Sequence, residues 1–366
     1  MIRVLQCVND MHRAGLETML MNYYRNIDRS VIQFDFLTHR PQRSDYDDEI
    51  EAMGGKIYYA PRLYPQNYGT YFRYMKHFFS DHPEYQIIHS HIDSMSLLPL
   101  LAAKRANIPI RIAHSHNTAI DKDYKYLLKQ LFRVGVPYVA NQYFACGEEA
   151  GKFLFGKRKF TYIPNAIDSS AYIFNESIRK NKRKQLGITN EYVVGHVGRL
   201  SYQKNHKMLI KIFKNVLSEH SNSLLLLVGV GEKESEIRYQ VEKEGINKKV
   251  RFLGNRTDVN ELYQAMDVFV MPSYFEGIPV VGIEAQFAGL PCVFSRGVPM
   301  EVKFTDTVNF ISLKDGPKKW AQVVCQYSKH ERNDLSDVAD SSIFEIKNSA
   351  RILVDNYIKL ESKVKR

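Results

Sequence analysis

Apolar residues along this chain fall into short unbroken runs, separated by longer stretches in which they recur every three or four positions. The runs at Ile2–Val8, Ile32–Leu37, Lys56–Ala60, Gln86–His89, Ile110–Ala113, Tyr143–Cys146 and Phe160–Ile163 predict strands. Helical periodicity fills the gaps, as at Glu17–Asn26, Tyr68–Phe79 and Ser94–Arg105. Such alternation predicts a parallel sheet with helices on both faces, and ligands beyond the carboxyl ends of its strands. A polar, Lys-rich stretch, Ser169–Gly187, predicts a connector. The alternation then restarts with strand Val193–Val197, helix His206–Leu217, strands Leu224–Val228 and Val250–Leu253, helix Val259–Ala265 and strand Asp267–Met271. Lys318–Tyr327 and the long amphipathic Phe344–Leu360 read as late helices.

The chemistry concentrates in loops at predicted strand ends. Met271–Ser295 reads as strand, tight loop, helix and second strand from Pro291. Pro279 suits the first helical position, where its missing N–H is no loss, and Gly289 suits the left-handed residue that closes the helix. The loop Glu276-Gly277-Ile278 therefore sits at a helix N-terminus, where free amides and the helix dipole favour phosphate. Glu276 and Glu284 flank it, and a carboxylate has the two acceptor oxygens that a sugar vicinal diol requires. Upstream, GRLSYQKN carries Arg199 and Lys204 at the end of the Val193–Val197 strand, and both cations suit phosphate oxygens. In the first half, NDMHRAGLE has Gly15 just before a helix, HSHIDS carries His89 and His91, and HSHNT carries His114 and His116. Strand alternation puts His114 and His116 on one face. Their spacing would permit metal ligation, but no carboxylate or cysteine is placed to complete a site.

Glu276 and Glu284, with seven residues between them, resemble the Glu-x7-Glu signature of retaining glycosyltransferases of family 4. GRLSYQKN resembles that family's donor-diphosphate motif, and IPNAID (Ile163 to Asp168) its crossing point between domains. The resemblance implies an α/β GT-B fold: two Rossmann-like domains with parallel sheets facing a central cleft. It implies an acceptor-side domain over residues 1–167, completed by a C-terminal helix over 343–366, and a nucleotide-sugar domain over 168–342. It further implies that Arg199 and Lys204 hold the donor diphosphate, with Gly15, Gly277, Ile278 and Pro279 also lining the donor. Glu284 would take the ribose and Glu276 the sugar hydroxyls. His116 is matched to the reacting centre, His114 stands second for that place, and His91 and His114 are assigned to the acceptor side.

The implied reaction is retaining transfer from a nucleoside diphosphate sugar, a UDP-sugar by family frequency, to a lipid-linked glycan. Its setting would be bacterial capsule, exopolysaccharide or O-antigen assembly, alongside other assembly enzymes, with no cofactor, no metal and no covalent nucleophile. Two rivals are a 2-epimerase of the same fold, which needs no acceptor, and a non-catalytic accessory subunit. Accessory subunits tend to lose the Glu and Arg/Lys pairs, all four of which stand here.

Composition sharpens the picture at three points. A hydrophobic fraction of 44% over 366 residues suits a globular protein of two or three domains, and no apolar run is long enough to span a membrane. MIRVLQCVND reads as a strand rather than a signal peptide, and four scattered cysteines read as thiols in a reducing cytoplasm. The net charge of +11 calls for an acidic partner. Its clusters are Lys157–Lys159, RKNKRK (Arg179 to Lys184) and the tail Lys363–Arg366, none of them part of a nucleic-acid module. An anionic membrane surface at the inner face of the cell membrane is the expected partner, and the basic–aromatic helix Asp121–Val139 (Tyr124, Lys125, Tyr126, Lys129, Arg133) could lie on it.

Overall fold

The computed structural model describes residues 1–118 and 126–364. Its strands form two wholly parallel sheets. The first contains β1 (Ile2–Cys7), β2 (Ile32–Thr38), β3 (Ile57–Tyr59), β4 (Ile87–Ser90), β5 (Ile110–Ser115), β6 (Gln142–Ala145) and β7 (Thr161–Tyr162), in the order β3-β2-β1-β4-β5-β6-β7. The second contains β8 (Tyr192–Val197), β9 (Ser223–Val228), β10 (Val250–Gly254), β11 (Val268–Met271), β12 (Cys292–Ser295) and β13 (Val308–Ile311), in the order β10-β9-β8-β11-β12-β13. Both orders reverse direction once, between β1 and β4 and between β8 and β11. A doubly wound sheet opens a crevice for ligands beyond its strand ends at such a switch point.

The chain divides into two compact units, residues 1–166 with 346–366, and residues 167–345. In the first, one sheet face is covered by the helix Gly15–Asn26 and the C-terminal helix Ile346–Val364, which pack on each other. The C-terminal helix buries Ile346, Ala350, Leu353, Tyr357 and Leu360, a spacing of three or four that keeps them on one stripe. The opposite face takes the helices Tyr68–Asp81, Leu97–Arg105, Tyr126–Val139 and Glu148–Phe155.

The expected connector is structured. Within 169–187 lies the helix Glu176–Gln185, capped by the Asn175 side chain on the Ile178 N–H. It holds the whole RKNKRK run, of which Arg179, Lys182 and Arg183 form an internal ion-pair network while Lys180 and Lys184 stay exposed. Lys182 is 5% exposed and pairs with Asp258 and Glu261, while Arg179 and Arg183 both reach Asp267. Buried cations demand such partners, and these sit on the neighbouring segment 258–267.

The helix Tyr126–Val139 also differs from expectation. Tyr124 and Lys125 lie outside the described residues, as do Lys365 and Arg366. What the helix shows to solvent is an apolar row, Leu127 (81% exposed), Leu131 (69%), Val134 (60%) and Tyr138 (67%). Lys129 and Arg133 lie half-buried beside that row. No described helix is long and apolar enough to cross a membrane. All four cysteines are buried free thiols.

Candidate functional site

In the second unit, two loops at the switch point are fastened to each other. Asn205 stands in the left-handed region (φ 53°), a conformation that asparagine tolerates better than most residues. There its side chain caps the helix His206–Glu219 and donates to the Pro272 carbonyl. The Tyr274 N–H donates to the Gln203 carbonyl, and the Tyr202 and Tyr274 rings stack at 4.8 Å. From the loop after β12, the Gly297 carbonyl accepts from the Glu276 N–H, and a Cβ at Gly297 would lie 2.2 Å from the Tyr274 oxygen, so only glycine lets that loop close on the one after β11.

This fastening places Glu276, 9% exposed, against Lys204: Nζ to Oε1 is 2.8 Å, and the other carboxylate oxygen accepts from Gln203 Nε2 at 3.0 Å. Gly277 has open space about its Cα, and Ile278 is buried. Pro279 is the cap residue rather than the first helical one, with extended ψ of 112°, and the helix runs Val280–Phe287. Gly289 takes φ 68° and terminates it, as its place in the sequence predicts.

Behind this helix, Arg332 donates to the Ala288, Tyr263, Gln264 and Met266 carbonyls and stacks on Phe174. A guanidinium there satisfies the carbonyls that two helix ends leave free. Nothing in the local sequence marks Arg332 for this task.

Glu284 accepts from Tyr172 Oη at 3.0 Å on one oxygen and from Tyr263 Oη at 2.8 Å on the other. Burial pushes its carboxyl above the usual range, opposed by these two phenols. Each oxygen keeps a lone pair for a further donor.

Arg199 has a different partner from Lys204. It is 73% exposed and pairs through Nε and NH2 with Glu232, in the loop after β9. That loop is pressed on the end of β8, since a Cβ at Gly229 would lie 2.2 Å from the Gly198 oxygen. The expected Arg/Lys pair is thus two cations, each neutralised by its own carboxylate. Gln203 lies inside the motif and Glu232 beyond the next strand, and nothing in the sequence marks either as a partner of these charges.

In the first unit the candidates also gather at a switch point. Gly15 opens the helix Gly15–Asn26 with nothing within 4 Å of where a Cβ would stand. His91, after β4, and His116, after β5, meet with His91 Nδ1 3.0 Å from His116 Nε2. Asp93 holds a strained left-handed backbone (φ 45°) and accepts from the His116 N–H through one oxygen and from Asn117 Nδ2 through the other.

His91 is 2% exposed and His114 0%, while His116 is half-buried. Beneath lie His89, Gln6 and, from the C-terminal helix, Tyr357. Burial holds the His116 imidazole down to about 3, and holds His89, His91 and His114 well below the usual histidine range. The cluster is therefore neutral at pH 7. Ring nitrogens of His89, His91 and His114 lie within 4.8 Å of one another, close enough to share an ion. Those nitrogens are, however, largely taken up by hydrogen bonds to one another, to Gln6 and to Tyr357.

Comparison with known proteins places these features in context. Residues 178–333 match the family model of glycosyl transferases group 1. EpsF of Bacillus subtilis (strain 168), named as a glycosyltransferase, is 34% identical over 334 residues, covering 88% of this chain and 87% of that protein. An Escherichia coli UDP-Gal:alpha-D-GlcNAc-diphosphoundecaprenol alpha-1,3-galactosyltransferase is 30% identical over 58% of each chain. CapH of Staphylococcus aureus, a capsular polysaccharide biosynthesis glycosyltransferase, is 24% identical over 98% of this chain and 99% of its own. Among solved structures, HepE of Anabaena in complex with UDP superposes with a TM-score of 0.74 at 17% identity, covering 100% of this chain and 98% of that one.

Proposed function

Taking as premise that this chain belongs to the group 1 glycosyl transferases and has the GT-B fold, we propose that it is a retaining, metal-independent transferase. In this reading it moves a sugar from a UDP-sugar to a lipid-linked glycan in polysaccharide assembly. The observation that carries the donor side is the Lys204–Glu276 pair, on loops joined across the β8/β11 switch point, with Glu284 on the helix that follows. The E. coli relative is named for a UDP-Gal donor and a diphosphoundecaprenol acceptor, and HepE also has a structure with UDP-glucose. Both support this choice of substrates.

As the glycosidic bond breaks, negative charge gathers on the departing diphosphate. Lys204, Arg199 and the amides near Gly277 stabilise that charge in place of a divalent ion. Lys204 keeps two N–H donors beyond the one Glu276 takes. Arg199 exchanges Glu232 for phosphate, a low-cost exchange because exposed ion pairs contribute at most about 1 kcal/mol. Glu284 takes the ribose hydroxyls on its spare lone pairs, Glu276 those of the transferred sugar, and neutral His116 a hydroxyl at the reacting centre.

The acceptor's lipid calls for a place on the bilayer, and the first unit offers one. Leu127, Leu131, Val134 and Tyr138 form its apolar row. The four helices of that layer with the following Gly156–Lys159 (68–81, 97–105, 126–139 and 148–159) carry ten lysines and arginines against three acids. Arg158 lies over the Tyr138 ring, and Lys104 donates to the Tyr138 carbonyl. An apolar strip edged by cations is what binds an anionic leaflet.

The test is incubation with UDP-sugars and an undecaprenyl-diphosphate glycan, reading UDP release and the product's anomeric configuration. Stoichiometric UDP with retained configuration is expected. Donor conversion without UDP release would assign the 2-epimerase reading instead.

A further inference from the structure

Two strings of hydrogen bonds run through the buried histidines of the first unit, and they share one head. Tyr357 Oη lies 2.6 Å from His89 Nδ1, and His89 Nε2 lies 3.2 Å from His114 Nδ1. Tyr357 Oη also lies 3.3 Å from Gln6 Nε2, Gln6 Oε1 lies 2.8 Å from His91 Nε2, and His91 Nδ1 lies 3.0 Å from His116 Nε2. Every imidazole here is neutral and so carries one proton. Each string therefore has only two consistent directions, and the choice at the head sets every tautomer below it.

The geometry at the head decides between them. Gln6 turns its Nε2 toward Tyr357 Oη and its Oε1 toward His91 Nε2. Tyr357 therefore accepts from Gln6 Nε2, which leaves its own proton for His89 Nδ1. His91, facing the Gln6 carbonyl oxygen, must donate from Nε2 and accept at Nδ1. His116 in turn must donate from Nε2. Its Nδ1 is left without a proton.

We infer that Gln6, oriented by Tyr357 from the C-terminal helix and acting through His91, is a positioning residue that fixes His116 as the Nε2–H tautomer. His116 then presents a bare Nδ1 lone pair to a hydroxyl of the substrate. Asp93, which holds the His116 N–H at 2.9 Å from a strained backbone, fixes the loop that carries the ring. A ring that only accepts takes a sugar hydroxyl as donor and discriminates against a ligand that offers just an acceptor there. The functional half of this inference rests on the placement of His116 at the reacting centre, whereas the tautomer stands independently of it.

The test uses the full chain labelled with 15N-histidine, its His116 signals assigned by difference from His116→Asn, and long-range 1H–15N correlation. In the native protein, Nδ1 of His116 is expected to show the shift of an unprotonated ring nitrogen and Nε2 that of a protonated one. Gln6→Met removes the directing acceptor and should give a tautomer mixture. Its kcat should fall by about twofold for an even mixture and by up to about 10⁴-fold for a wholly wrong tautomer, with the donor KM within about twofold of native. Gln6→Glu keeps an oxygen facing His91 and should keep the native tautomer, which separates direction-setting from packing. A protonated Nδ1 in the native protein, or a His116 tautomer indifferent to Gln6→Met, would overturn the inference. Full turnover in His116→Ala would instead remove the assigned role of His116 while leaving the tautomer result intact.

Discussion

Lys204 Nζ and Glu276 Oε1 lie 2.8 Å apart, with the lysine side chain 14% and the glutamate 6% exposed, on loops 72 residues apart in sequence. Removing one member of so enclosed a pair leaves the other charge without compensation. Lys204→Met should destabilise the second unit by about 3 kcal/mol, and adding Glu276→Gln should restore at least half of that. Urea unfolding followed through Trp320, the sole tryptophan, which is buried in this unit, reads both. Both variants should lose transfer. Simple additivity in the double variant would mean that the two charges do not compensate each other.

The exposed partner of Arg199 makes a different prediction. Glu232 competes with the donor diphosphate for that guanidinium. Glu232→Gln should tighten UDP binding by up to about fivefold, the most an exposed pair can withhold. The gain should shrink with added salt. Titration calorimetry at low and physiological ionic strength measures it, and weaker binding in the variant would show that Glu232 assists the donor.

Glu284 ties donor binding to pH. Burial raises its carboxyl, and the ionised form is the one that accepts the ribose hydroxyls. UDP affinity should therefore rise as pH increases through that range. Tyr263→Phe removes one of the phenols that hold the carboxyl down, so the same rise should move to higher pH. A pH profile identical in native and variant protein would detach Glu284 from the nucleotide.

The histidine cluster makes the first unit acid-sensitive. His116 is held down to about 3 and its neighbours well below 6.5, so the unfolded chain takes up protons before the folded one does. Stability from these groups is complete above about pH 6.5 and is lost as pH falls toward the folded values. Each such histidine adds a slope of about 1.4 kcal/mol per pH unit. Hydrogen exchange of the β4 and β5 amides between pH 7 and 5 should show this slope, and His89→Gln should flatten it by about one proton.

The apolar row should matter only at a surface. Leu127→Glu with Leu131→Glu should leave folding nearly unchanged, both side chains being more than two-thirds exposed. The pair should abolish cosedimentation with vesicles containing anionic phospholipid. Native binding should weaken with salt and with neutral lipid. Equal recovery on neutral vesicles would remove the cationic half of this proposal.

Much of the fold was legible because its signals are local. Runs such as Leu224–Val228 and breaks such as Gly289 act over a few residues, and the structure places strands and helix ends there. The segment 169–187 misled because charge density was taken for solvent exposure. Lys182 and Arg183 are charged and buried, and only the segment 258–267 explains that. Pro279 shifted by one position because a proline's fixed φ serves the cap residue as well as the first helical one.

By itself, then, the sequence determined the alternation of strand and helix and which loops at strand ends carry carboxylates, cations and imidazoles. Partnership was decided by the tertiary structure: Glu276 with Lys204, Arg199 with Glu232, Glu284 with two tyrosines, and His116 with a string that ends on the C-terminal helix. The physical reason is range. Backbone conformation answers to neighbours a few residues away, whereas a buried charge or ring takes its protonation and orientation from whatever distant segment the sheet order brings beside it.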